Sequence, residues 1–147
     1  MPKKPLPGGH VFEPRARMQV PKSFGKAGTP FAYVGEEDAQ LAAAQFQHLV
    51  ANTIRECVLR KSGTLRSFLE EAKFPSEMTY DRVSRIQRGE TMMTITDLLI
   101  WSNAFQEVRV RAAELVAAAS PVREKLDEEA ISVEPASDPA QGPARSS

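Results

Sequence analysis

Between Gly35 and Gly63 the chain reads GEEDAQLAAAQFQHLVANTIRECVLRKSG, in which Phe46, Leu49, Val50, Thr53, Ile54, Cys57 and Val58 recur at helical spacing. That pattern predicts one long amphipathic helix. The acids Glu36, Glu37 and Asp38 suit its electropositive start, and Ser62-Gly63 suits its end. Thr64 is placed to cap a second helix, LRSFLEEA, whose Leu65, Phe68, Leu69 and Ala72 share a face and which Pro75 stops. Thr79 is placed to cap a third, YDRVSRIQR, closed by Gly89, with Val83 and Ile86 as its inward edge. Thr94 and Asp97 form a capping-box pair with Asp in place of Glu, opening ITDLLIWSNAF, whose Ile95, Leu98, Leu99 and Phe105 are expected to point inward. The Ala-rich VRVRAAELVAAAS either continues that fourth helix or follows a break near Gln106 and Glu107. Nothing in the pattern reads as a firm strand, so the domain is expected to be all-α.

Composition changes around this helical core. Six of the eleven prolines and five of the eight glycines fall before Glu36, so residues 1–35 are expected to form a flexible arm. Phe12, Val20, Phe24, Phe31 and Val34 leave room there for a strand or a docked segment. From Pro121 a short helical stretch, VREKLDEEA, gives way to SVEPASDPAQGPARSS, expected to be a disordered tail over 121–147. The folded domain is then expected over 36–120.

Formal net charge is zero across 147 residues, which excludes a uniformly basic polymer and requires any nucleic-acid site to come from local clustering. The arm is basic, with Lys3, Lys4, Arg15, Arg17, Lys22 and Lys26 against Glu13, while the tail is acidic. Cys57 is the single cysteine, so an internal disulfide and a multi-cysteine zinc site are excluded, and His10 and His48 lie too far apart to suggest a metal. No metal or cofactor is expected. The lack of a signal-like or membrane-spanning apolar run points to a cytoplasmic protein. No phosphate loop, nucleophile elbow or paired catalytic carboxylates occur, so an enzyme is not expected.

The candidate chemistry lies in the third helix. At 100° per residue, Val83 and Ile86 occupy one side, and Tyr80, Asp81, Ser84, Arg85 and Arg88 the other, with Arg82 flanking it. A short helix buried along one edge and polar along the other, preceded by another short helix and a turn, is how helix-turn-helix proteins reach the major groove. Arginine suits the task because its planar fork matches guanine O6 and N7, or a phosphate. The bland alternative is a solvated charged face. Arg15, Arg17, Lys22 and Lys26 are a candidate DNA-wrapping arm. Cys57 is read as a packed thiol, and Trp101 as core or dimer interface.

RIQRGETMMTITDLLIWSNAF resembles the end of the recognition helix and the next helix of the Cro/repressor-like (lambda-repressor-like) helix-turn-helix family, whose domains commonly carry R-I-x-R-G, a polar link and an apolar helix. Arg85, Ile86, Arg88 and Gly89 fall on that stretch, and the resemblance runs from about Leu49 to Phe105, strongest from Met78 onward. It implies a five-helix DNA-binding module of a bacterial or phage transcriptional regulator, a repressor acting as a homodimer on double-stranded DNA. It implies base contact by Tyr80, Asp81, Ser84 and Arg85, with Thr79 and Arg88 nearer the backbone. Two departures stand out. The link Lys73 to Met78 is longer than the family's tight turn, leaving Phe74 or Met78 for its apolar position. The usual Gln at the start of the preceding helix is absent, so a phosphate contact there falls to Thr64 or Arg66. The alternative is the same fold as a protein-interaction adaptor or antitoxin-like partner, with VRVRAAELVAAAS and the outer face of the long helix as candidate association surfaces.

Overall fold

The computed structural model describes residues 11–26 and 28–118. Among them the chain forms five α-helices: α1 (Ala39–Ser62), α2 (Leu65–Glu71), α3 (Tyr80–Gln87), α4 (Ile95–Ala104) and α5 (Gln106–Ala118). No strand occurs among these residues beyond one isolated antiparallel bridge between Met18 and Tyr33, so the fold is all-α. No helix among them is long and apolar enough to cross a membrane.

Local chemistry sets the helix boundaries. The Asp38 carboxylate accepts the Leu41 amide at 2.8 Å, so α1 starts just after the acidic run rather than within it. Thr64 accepts from Ser67 N–H at the start of α2, and Thr79 from Arg82 N–H at the start of α3. Thr94 and Asp97 make the reciprocal box at the start of α4. Gly63 and Gly89 carry the positive φ angles, 81° and 73°, that end α1 and turn the chain after α3. Phe105 adopts an extended conformation and separates α4 from α5, which settles the two sequence alternatives in favour of a break.

Val50, Ile54, Cys57 and Val58 of α1 pack with Phe68, Met78, Val83, Trp101, Phe105, Val108 and Ala112 in one core. Trp101 is its centre: stacked on Phe68 at 5.6 Å between ring centroids, edge-on to Phe74 at 5.1 Å, and 1% exposed. It is therefore core. Both candidates for the apolar position in the α2–α3 link are used, since Met78 is buried and Phe74 packs on Phe68 and Trp101.

Two expectations need correction. Ile95 and Leu99 point outward, 78% and 59% exposed, because Asp97, Trp101 and Ser102 occupy the buried side of α4. The helix is rotated to bring the Asp97 carboxylate inside, where it accepts the Thr94 amide of its own first turn and meets Arg82. The arm is not flexible from Val11 on: it makes two short 3-10 turns, Pro14–Arg17 and Pro21–Ser23, and lies against α1. Pro14, Met18 and Phe24 are buried there with Leu41, Ala44 and His48. Partners far along the chain satisfy its backbone groups, as in Arg15 N–H to the Gly89 carbonyl at 3.0 Å, and composition cannot show such pairing. Residues 1–10 and 119–147, which include the expected acidic tail, lie outside the described residues.

Candidate nucleic-acid interface

Side chains tie α3 to α1 at its C-terminal end and to α4 at its first turn. Gln47, 1% exposed on α1, donates to the carbonyls of Ile86 at 3.0 Å and Thr91 at 2.9 Å, and its own carbonyl accepts the Met93 amide at 2.7 Å. Gln87 donates back to the Ala51 carbonyl of α1 at 3.1 Å. From α4, Asp97 takes both guanidinium nitrogens of Arg82 at 2.6 and 2.8 Å. Burial of the Asp97 carboxyl opposes its ionisation; the hydrogen bonds from Arg82 and Thr94 outweigh that cost and hold it below the ordinary aspartate value.

That framework decides which of the expected residues can meet a partner. Tyr80 is 43% exposed, Asp81 and Arg85 stand free of the core, and Arg88 lies at the exposed end of the helix. Arg66 of α2 sits over the Tyr80 ring, its guanidinium carbon 4.1 Å from the centroid, so the start of α2 and the start of α3 present one joined surface. Thr64 and Thr79 are exposed at the adjacent helix starts, each with its hydroxyl already engaged in capping.

Arg82 and Ser84 are set back from this surface. The Arg82 fork is bound to a carboxylate that is itself 3% exposed, so it is a tie between α3 and α4 rather than a free donor. Ser84 is buried, turned toward a cleft of about 430 Å³ between α1, α2 and α3 whose walls include Arg55, Thr64, Leu65, Tyr80 and Arg88. The helical wheel places Ser84 on the outward side, and in the structure it lines that cleft with little exposure.

The exposed arginines are partly neutralised. Arg85 meets Asp81 one turn earlier at 3.3 Å, and Arg88 meets Glu90 at 2.7 Å. Exposed pairs of this kind contribute roughly 0–1 kcal/mol each, so an anionic partner can displace them at small cost.

The candidate arm residues divide. Arg17 is clamped by Asp38 at 2.9 Å and by the backbone carbonyls of Val34 and Glu36, so its guanidinium is engaged within the protein. Arg15 reaches Glu13 and Glu90 at 3.4 and 3.7 Å. Lys22 and Lys26 are exposed.

Sequence reasoning missed the polar interior of α1. Gln47, His48 and Asn52 are all buried, and with Ala44 and Ala51 they extend the buried side of α1 beyond its apolar stripe. Their helical spacing beside Ala44 and Ala51 is a legible signal, masked by an apolar pattern that leaves polar side chains out. Comparison with protein-family models, with curated proteins and with solved structures finds no match to this chain.

Proposed function

We propose that the chain is a sequence-specific DNA-binding regulator of the Cro/repressor-like helix-turn-helix type, a cytoplasmic homodimer without enzymatic activity that represses by placing α3 in the major groove. The observation that carries this reading is the two-sidedness of α3. Val83, Ile86 and Gln87 are buried, while Asp81 and Arg85 are exposed on its open side, Tyr80 meets Arg66 of α2, and Arg88 at its end shares a cleft with the α2 cap Thr64. A rigidly held short helix of this kind supplies base-edge contacts from Tyr80, Asp81 and Arg85, with backbone contacts from Thr64, Arg66, Thr79 and Arg88. Arg82 and Ser84 drop out of the contact set and support the helix instead.

One observation favours the second reading, an adaptor or antitoxin-like partner. Ile95 and Leu99 form an exposed apolar pair on α4, and Val110 and Val116 are exposed on α5. Under the first reading such surfaces serve the dimer; under the second they are the main binding site. Salt separates the two. Affinity for a mixed-sequence duplex measured at two salt concentrations should fall steeply, each phosphate contact adding roughly −0.9 to the log–log slope. Arg88→Ala should reduce that slope by about one. A salt-independent or absent interaction would move the function to the protein-binding reading.

A further inference from the structure

Besides its packing along α1 and the Arg17–Asp38 pair, the arm meets the end of α3 and His48. At the first place, Arg15 N–H donates to the Gly89 carbonyl, and the Phe24 ring fills the space where a Cβ on Gly89 would stand, 2.6 Å from it. A Cβ on Gly25 would stand 2.1 Å from the Gln87 carbonyl oxygen. At the second place, Gly25 N–H donates to His48 Nδ1 at 2.9 Å. Nδ1 is thereby the unprotonated nitrogen, and Nε2 donates to the Thr29 carbonyl at 2.8 Å. Phe24 and Phe31 enclose the imidazole at 5.3 and 5.5 Å, and none of its surface is exposed. Gly25 therefore touches both places, its amide on His48 and its α-carbon against α3.

We infer that neutral His48 is the latch that holds the arm against the C-terminal end of α3, and that protonating it releases the arm and loosens that end of the helix. A proton on Nδ1 would face the Gly25 N–H across a hydrogen-bond distance, replacing an attraction by a donor–donor repulsion. Among the described residues no carboxylate bonds the imidazole, so the added charge would have no counter-ion there. From the arm, Arg15 is engaged with Glu13 and Glu90, Arg17 with Asp38, and Lys22 and Lys26 are exposed. From the end of α3, Arg88 and Glu90 pair with each other, and from α1, Arg55 lines the cleft on the α2–α3 side. The polar neighbours of the imidazole are Gly25, Thr29 and the Asn52 amide at 3.3 Å.

Burial pulls the imidazole below the ordinary histidine value, and the Thr29 carbonyl opposes this in part. The docked state therefore binds fewer protons than the open one. Docking is fully favoured above about pH 6.5 and weakens as pH falls below it, the opening constant rising by up to about tenfold per pH unit until the docked imidazole itself titrates.

The latch is tested without DNA. On the full-length protein, nitrogen NMR of the histidine rings, amide exchange at Gly25 and Arg15, and trypsin cleavage after Lys22 and Lys26 are followed from pH 8 to pH 5. The expected result is an Nε2–H tautomer at pH 8. Gly25 and Arg15 protection and cleavage resistance should then be lost together as pH falls, with His10→Gln unchanged. His48→Asn, which keeps an acceptor near Nδ1 but does not titrate, should remove the pH dependence. Equal protection at pH 5 and pH 8 in the wild type, an Nδ1–H tautomer at pH 8, or the wild-type profile in His48→Asn would overturn the inference. Should that variant not fold, the wild-type tautomer and Gly25 protection decide it. The effect on function rests on the proposed DNA reading: duplex affinity should fall in step with Gly25 exposure. No duplex binding at either pH removes that reading and leaves the latch standing.

Discussion

Arg82→Ala separates a structural role from a DNA-contacting one. The substitution removes both hydrogen bonds to Asp97, at 2.6 and 2.8 Å, and leaves a carboxylate that is 3% exposed with only Thr94 to satisfy it. Breaking a fully buried pair costs about 3–5 kcal/mol. Arg82 is 30% exposed, so solvent already screens part of the interaction, and the retained Thr94 bonds lower the penalty further. A loss of about 2–3 kcal/mol is expected on these grounds. The sign with pH follows from Asp97. Its folded value lies below the ordinary one, so in the wild type its stabilisation is complete above about pH 4 and is lost as pH falls through the folded value. Without Arg82, burial dominates and the carboxyl takes up its proton at higher pH, so the difference between variant and wild type shrinks as the solution is acidified from pH 7. Urea unfolding at pH 7 and pH 4 measures both effects. A variant within 0.5 kcal/mol of wild type, the size expected of an ordinary surface change, would refute the tie. So would a full-sized loss that does not diminish on acidification.

Other outcomes follow from the same framework. Gly25→Ala should undock the arm, because its Cβ would stand 2.1 Å from the Gln87 carbonyl at a φ of 72°; unchanged tryptic resistance of the arm would contradict this. Cys57 should react slowly with a thiol reagent at pH 8 in the folded protein and quickly once unfolded. Burial, with the Glu107 carboxylate accepting from the thiol, pushes its pKa up to about 11; an equal rate in both states would contradict that. Ile95→Lys and Leu99→Lys should each change fold stability by no more than about 0.5 kcal/mol by urea unfolding, since both side chains lie outside the core. A loss several times larger would restore the inward placement that the apolar pattern suggested.

What was legible in the sequence was local. Thr64, Thr79 and the Thr94–Asp97 pair declare their helices through contacts three residues away, and each does so in the structure. The apolar face of α1 and the inward edge of α3 followed from periodicity, because both are long-buried stripes. The misplaced residues depend on partners distant in the chain. Asp97 could be read as a cap, yet its second task, holding Arg82 fifteen positions earlier, rotates α4 and turns Ile95 and Leu99 outward. Phe24 marks room for a strand or docked segment without naming its partner, and His48 is a residue of the long helix, until the chain brings the two rings together with Phe24 beneath Gly89. At the candidate interface, Tyr80, Asp81, Arg85 and Arg88 lie where the wheel puts them, whereas Ser84 is buried in the wall of the cleft between α1, α2 and α3.

Selection of bound duplexes from a random-sequence library, repeated with Arg85→Ala, tests the proposed function most directly. The expected result is enrichment of a palindromic site spaced for a dimer, with the variant losing about 1–3 kcal/mol of affinity and relaxing the preference at particular base pairs. No enrichment, or equal losses on all sequences for Arg85→Ala and Arg88→Ala, would contradict the placement of α3 in the major groove.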